Sequence, residues 1–135
     1  MKATLADLDK VVALGIEFHG LSPHNVDPVD PDGWRETATR LIEAGGVFVS
    51  DGGLIGGVLG PLYFNPAIIY AYELFWYAPD GSGRALKAEF EAWAKEAGAV
   101  GINYTALADD TLPRVSAIYR RSGCVPTEAA FRKRF

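Results

Sequence analysis

Residues Ala67–Ala78 read Ala-Ile-Ile-Tyr-Ala-Tyr-Glu-Leu-Phe-Trp-Tyr-Ala, an apolar and aromatic run whose only carboxylate is Glu73. β-Branched and aromatic residues at this density predict a buried strand. The run is far short of the ~20 apolar residues that a membrane-spanning helix needs, and Glu73 interrupts it. It leads directly into Pro79-Asp80-Gly81-Ser82-Gly83. Beyond that turn Leu86, Phe90, Trp93, Ala94 and Ala97 fall on one face of a helix, with Glu91 and Lys95 as an i,i+4 pair on the opposite face, and Gly98 stops it. A buried strand, a glycine turn and an amphipathic helix in immediate succession rule out a simple helical bundle.

The rest of the chain is read around that unit. Thr4-Leu-Ala-Asp7 has the form of a capping box, and Leu5, Leu8, Val12 and Ile16 predict a helix over about Leu5–Phe18, with a short strand before it at Met1–Ala3. Gly20–Gly33 reads as a long loop. A second helix starts at Asp30-Pro31, buries Trp34, Ala38, Leu41 and Ile42, and ends at Gly45-Gly46. Strands follow at Gly46–Ser50 and Leu54–Phe64 around a hairpin turn, Asp51-Gly52-Gly53. Gly56-Gly57 inside the second of these suggests a bulge or a close backbone approach. After Gly98 come a strand over Val100–Leu107, a fourth helix started by Asp110-Thr111 and Pro113 and stopped by Gly123, and one or two strands over Val125–Phe135. The reading is an α+β fold with a mixed sheet. At 135 residues there is room for one core, so residues 1–135 form a single domain.

Composition narrows the classes of partner. A net charge of −4 opposes bulk nucleic-acid binding, which depends on neutralising phosphates. Asp7 and Asp9 near the start are unlike a secretory signal. The one cysteine, Cys124, has no internal disulfide partner, which suits a cytoplasmic location. Two histidines and one cysteine at unrelated spacings give no metal site.

The glycine turn carries the chemistry. A helix start presents N–H groups with no intrahelical partner, and the helix dipole adds to their attraction for anions, phosphates above all. Gly81 and Gly83 let backbone approach such a group, and Arg84 places a positive charge in the first helical turn, where it does not help the helix. The competing reading is a plain turn with a serine cap. A Rossmann site lacks its third glycine, since Leu86 stands there, and no Walker GK[ST] is present.

In these features the chain resembles the GNAT superfamily of N-acetyltransferases over nearly its whole length. The family's acetyl-CoA signature, Q/R-x-x-G-x-G/A, is met here by Ala78-Pro79-Asp80-Gly81-Ser82-Gly83, with both glycines matching and the first position departing. A second landmark, Tyr, three residues, then Gly and Phe, is met by Tyr119 and Gly123, with Cys124 in place of Phe. The resemblance implies a mostly antiparallel mixed sheet of six to seven strands flanked by four helices, splayed into a V between the fourth strand (Ala67–Ala78) and the fifth (Val100–Leu107). It implies that acetyl-CoA is the co-substrate. Gly81, Ser82, Gly83, Arg84 and Ala85 then hold its pyrophosphate, the backbone of Leu74, Phe75, Trp76 and Tyr77 meets its pantetheine, and an N–H near Phe75 meets the oxyanion. Glu73 matches the position of the catalytic glutamate in histone-type members, and Tyr119 directs its hydroxyl at the thioester sulfur.

Physical chemistry fits roles to those two residues. An amine acceptor must lose a proton before it attacks, and Glu73, in a strongly apolar strand, has the burial that brings a carboxyl toward neutrality. The alternative is that Glu73 only pairs with a basic residue or faces solvent. Tyr119 is either the acid for the departing thiolate or a core tyrosine beside Val115 and Ile118. His19, His24, Tyr63 and Tyr72 are the candidates to line the acceptor site, with surface or core roles as the plainer reading. The expected reaction is transfer of acetyl to a primary amine, of a small molecule or a protein, by direct attack in a ternary complex. The alternative is an inactive CoA-binding or protein-interaction module of the same fold. Apolar strands near the C-terminus also allow a homodimer.

Overall fold

The computed structural model describes Met1–Phe135, whose contacts group into two compact units, Met1–Thr105 and Ala106–Phe135. The first unit holds a four-stranded sheet in the order β1 (Val47–Val49), β2 (Leu54–Leu62), β3 (Asn65–Tyr77), β4 (Ile102–Asn103). β1, β2 and β3 are antiparallel neighbours, and β4 joins β3 in parallel. The sheet is mixed and mostly antiparallel, as expected, but has four strands rather than six to seven. Met1–Ala3 contributes a bridge between Lys2 and Phe48 and a bond from the Ala3 N–H to the Val47 carbonyl (2.9 Å), short of a full strand.

Helices cover both faces. α1 (Leu8–Leu21) and α2 (Pro31–Glu43) pack Val11, Ala38, Leu41 and Ile42 against Val47, Val49 and Leu54. α3 (Gly83–Glu96) packs Leu86, Phe90 and Ala94 against Phe48, Ile55 and Ala71. Successive residues of β1 and of β2 thus enter opposite cores, as the two-residue pleat requires. The capping box at Thr4 forms, with the Thr4 N–H donating to Asp7 Oδ2 (2.9 Å), but it closes a 3₁₀ turn over Leu5–Asp7 before α1 begins. The long loop after α1 shortens to a Ser22-capped 3₁₀ turn, Pro23–Val26, in which Ser22 Oγ accepts from the His24 N–H (3.2 Å).

Three local expectations are overturned. Glu91 pairs with Lys87 (2.5 Å), one turn toward the N-terminus, rather than with Lys95, because Lys87 is itself buried and takes the only carboxylate within reach along that face. The strand expected over Val100–Leu107 has only two paired residues, Ile102 and Asn103. In the second unit α4 (Leu112–Arg121) has Pro113 in its first turn, and Gly123, at φ +88°, ends it. Residues 125–135, expected to form strands, are irregular and exposed, including Val125, Phe131 and Phe135. No helix is long and apolar enough to cross a membrane.

Candidate active site

The site is organised by a fault in the sheet. Along β2 and β3 the register runs Gly56↔Phe75 and then Gly57↔Glu73, so Leu74 is an extra residue, a β-bulge. The bulge reverses which face each residue takes. Ala71 lies in the α3-side core and so do Trp76 and Ala78, whereas Phe75 and Tyr77 lie in the α1/α2-side core. An unbroken strand would put residues 71, 75 and 77 together. The glycine pair makes the fault possible: a Cβ on Gly57 would stand 2.1 Å from the Tyr72 carbonyl oxygen, and one on Gly56 would stand 2.3 Å from the Phe75 ring. The expected bulge or close approach at these glycines is therefore both at once.

At the same place β4 leaves β3. Their pairing covers Ala71↔Ile102 and Tyr72↔Asn103 and ends there. In a continued parallel ladder the Thr105 N–H would reach a β3 carbonyl. It donates instead to Glu73 Oε2 (3.0 Å), and the Thr105 hydroxyl donates to the same oxygen (3.0 Å). The Glu73 side chain thus stands where the two strands part. It is only 5 % exposed, and this burial raises its carboxyl to about pH 7 against the opposing effect of the two Thr105 bonds. Glu73 meets neither of the plainer expectations, a basic partner or a solvent-facing position. Beyond this point β3 continues alone on that side, with Leu74 exposed and the strand bonded to β2 on the other.

The remaining β3 side chains are used inside the fold. Phe75 meets Trp34 edge-on (5.6 Å between ring centres). Tyr77 stacks on Phe18 (5.3 Å) and its hydroxyl donates to Glu17 (2.7 Å), a bond that raises the phenol's pKa. Trp76 turns toward the start of α3, where a Cβ on Gly83 would touch it at 3.4 Å. Apart from the exposed Leu74, what this stretch of β3 has left to offer a ligand is backbone.

The turn into α3 differs from expectation in one respect. The Asp80 carboxylate takes up donors that the sequence reading assigned to an anion. Its Oδ1 accepts from the Ser82 N–H (3.1 Å) and hydroxyl (2.5 Å), and its Oδ2 accepts from the Ser50 hydroxyl (2.6 Å) and the Gly52 N–H (3.0 Å). These bonds hold the Asp80 carboxyl well below the usual range and tie the turn to the β1–β2 hairpin. The Gly81 N–H donates to the Ala78 carbonyl (3.2 Å) and Gly81 has φ +82°, so the turn alone explains this glycine. Gly83 has an ordinary helical backbone, and a Cβ there would make only normal contacts at 3.4–3.5 Å. Nothing within the fold demands glycine at that position. The first intrahelical bond runs from the Leu86 N–H to the Ser82 carbonyl (3.0 Å), which leaves the N–H groups of Gly83, Arg84 and Ala85 at the open end of α3, with Arg84 exposed.

The four acceptor-site candidates are not gathered together. His19 donates from Nε2 to the Asp27 carbonyl (2.8 Å), which staples the turn after α1. His24 lies exposed on that turn, Tyr63 is 94 % exposed at the β2–β3 tip, and Tyr72 packs beside Gly60. Tyr119 is buried on α4, within the second unit, where its carbonyl accepts from the Cys124 N–H (3.0 Å). No group of three or more His, Cys, Asp or Glu is placed to hold a metal. Sequence reasoning missed Thr105 and Asp80. Thr105 carried the signal of a hydrogen-bonding residue on the strand next to Glu73, and Asp80 that of an Asp two residues before a helix-opening serine.

Neither family models nor curated proteins match the sequence. Solved structures do match the fold. A putative acetyltransferase from Agrobacterium tumefaciens is 20% identical with TM-score 0.66, covering 100% of this chain and 98% of that one. A transcriptional regulator from Bacillus halodurans is 17% identical with TM-score 0.72, covering 100% and 97%. The aminoglycoside N-acetyltransferase AAC(6')-Iy, solved with a bisubstrate analog of CoA and acetylneamine, is 15% identical with TM-score 0.68, covering 100% and 97%. The chain has the α+β fold of these structures.

Proposed function

We propose that this chain transfers an acetyl group from acetyl-CoA to a primary amine, with Glu73 as the base. The observation that carries the reading is the placement of Glu73, a buried carboxyl poised near neutrality at the parting of β3 and β4, on the strand that leads into an open helix start. The fit to acetyl-CoA is a backbone fit. The N–H groups of Gly83, Arg84 and Ala85 take the pyrophosphate, with the Arg84 guanidinium beside them, and Gly83 keeps the approach clear. Gly81 and Ser82 shape this turn rather than donate to the ligand. The side of Leu74–Tyr77 that faces away from β2 offers backbone N–H and C=O groups to the pantetheine amides, and an N–H near Phe75 meets the oxyanion.

Bound acetyl-CoA supplies an activated acyl group. Glu73 accepts the ammonium proton, directly or through one water, and the freed amine attacks the acetyl carbonyl. The carbon–sulfur bond then breaks and the thiolate takes its proton from Tyr119, a role that rests on the resemblance of the Tyr119–Gly123 motif, while the second proton of the attacking nitrogen passes through water to the Tyr119 phenolate. Because the fold neighbour AAC(6')-Iy was solved with an acetylated amine analog, amines are the first acceptors to try.

Calorimetric titration with acetyl-CoA, followed by detection of free CoA over a panel of amines, tests the reading. Binding with turnover supports it, and the absence of binding at millimolar acetyl-CoA refutes it. The Asp80 carboxylate among the turn's donors and Ala78 at the signature's first position favour a second reading, a CoA-binding module without catalysis. Binding without turnover on any amine would select it.

A further inference from the structure

A carboxylate used as a base has to present one defined oxygen to the incoming amine. Glu73 has two, and the structure treats them differently. Both donors of Thr105, its N–H and its hydroxyl, converge on Oε2 at 3.0 Å. This fixes the plane of the carboxylate and leaves Oε1 as the oxygen that can accept a proton from outside.

The β3–β4 ladder ends at Asn103, two residues before Thr105. A side-chain clamp fastens the residue between them. The Tyr104 hydroxyl donates to Glu91 Oε1 (2.9 Å), the Lys87 ammonium donates to the same oxygen (2.5 Å), and that ammonium lies 5.1 Å from the centre of the Tyr104 ring. Lys87 is 7 % exposed, a burial that is sustainable only with such partners. Residue 104 is thereby fastened to α3, and Thr105 follows directly.

We propose that Thr105 is a positioning residue for the Glu73 carboxylate, and that the Lys87–Glu91–Tyr104 clamp holds Thr105 in register with it. The proposal rests on the reading of Glu73 as the base. It adds that α3, whose first turn is assigned to the cofactor, also holds the residue that aims the base. Of the charged and titratable side chains near Thr105, Lys87 of α3 and Tyr104 after β4 both donate to Glu91 of α3, and β2 presents Gly57 opposite Glu73.

The test uses the free full-length chain and reads the Glu73 carboxyl carbon by NMR, assigned by its loss in Glu73→Gln. Thr105→Val keeps the shape and the N–H but removes the hydroxyl donor, so the Glu73 titration midpoint is expected to rise by about one pH unit, as the loss of one hydrogen bond to an ionised group implies. Thr105→Ser restores the hydroxyl and is expected to return the midpoint to the wild-type value. Tyr104→Phe cuts the clamp without touching Glu73 and is expected to raise the midpoint by a smaller amount. Thermal melts confirm that each variant is folded, and acetyl-CoA titration is expected to be unchanged in all three. A wild-type midpoint in Thr105→Val overturns the role of Thr105, and a wild-type midpoint in Tyr104→Phe overturns the role of the clamp. If wild-type protein fails to bind acetyl-CoA, the acetyltransferase reading falls, while the NMR titration still decides whether Thr105 positions Glu73.

Discussion

Gly83→Glu separates the ligand explanation of the α3 turn from the fold explanation. Gly83 opens α3 with ordinary helical backbone, and a Cβ there meets only Trp76 at 3.4 Å and Ala78 at 3.5 Å, so the fold accommodates a side chain. Glutamate should even suit the helix, gaining up to ~1 kcal/mol of propensity over glycine and ~0.3–1 kcal/mol from a negative charge at the N-terminus. The melting temperature is therefore expected to hold or rise. Binding should move the other way. A carboxylate about 6 Å from a phosphate charge costs roughly 0.7 kcal/mol at the dielectric of water and roughly 3 kcal/mol at that of a protein surface. For a single phosphate at that distance this corresponds to a weakening of acetyl-CoA binding by about 3–150-fold, to which the second phosphate adds. Isothermal titration calorimetry reads the affinity and a thermal melt reads the fold. Gly83→Gln, of equal size and no charge, should lose less than Gly83→Glu, which isolates the electrostatic part. If Gly83→Glu binds acetyl-CoA as wild type does, the pyrophosphate does not rest on this turn.

Three further outcomes are expected. In activity, the wild-type rate should rise with pH through about 7 as Glu73 ionises, and Glu73→Gln should lose roughly a hundredfold or more in rate together with that inflection; an inflection that survives in the variant would assign it to another group. In stability, a carboxyl raised from 4.5 to about 7 makes the fold bind more protons than the unfolded chain within that window. Stability should then fall as pH rises across it, by on the order of 3 kcal/mol, and chemical denaturation of Glu73→Gln should show this slope abolished. In the sheet, Gly57→Ala should cost about 2–3 kcal/mol, because its Cβ would sit 2.1 Å from the Tyr72 carbonyl oxygen, whereas Gly60→Ala, 3.3 Å from the movable Tyr72 ring, should be milder; equal denaturation midpoints for the two would remove the packing argument for the bulge.

The sequence made legible what local chemistry decides. The stripes Ala38-Leu41-Ile42 and Leu86-Phe90-Ala94 are buried as their helical spacing requires, Pro31 opens α2, and Gly45, Gly98 and Gly123 end helices at positive φ. Glu73 stood out because a carboxylate in an apolar strand needs a reason. The failures come from partners that lie far away in sequence. Val100–Leu107 has the composition of a strand, but the donor that would extend its ladder, the Thr105 N–H, is taken by a side chain on β3. Residues 125–135 alternate enough to read as strand, yet a strand exists only where another offers its backbone, and no β-partner is bonded there. Asp80 looked like a turn former. Its bonds to Ser50 and Gly52 depend on a hairpin about 30 residues earlier, a separation at which spacing carries no signal.

The bulge at Leu74 links the sheet's packing to its proposed chemistry. Without the extra residue, Glu73, Phe75 and Tyr77 would share one face, and the strand could not bury both aromatics against α1 and α2 while keeping the carboxylate on the α3 side. With it, the aromatics anchor one face, Trp76 and Ala78 join the core on the other, and Glu73 lies at the reversal, where the β3–β4 ladder has already stopped. Glu73 then meets the last donor of the departing strand, which satisfies one oxygen and lets burial raise the carboxyl's proton affinity without leaving the group unbonded. Gly56-Gly57 is the condition for the whole arrangement, since a side chain at either position would collide with Phe75 or Tyr72. A substitution there should therefore disturb the Glu73 titration as well as the stability of the sheet. A Gly57→Ala protein that is destabilised yet titrates Glu73 at the wild-type midpoint would show that packing and chemistry are separable at this position.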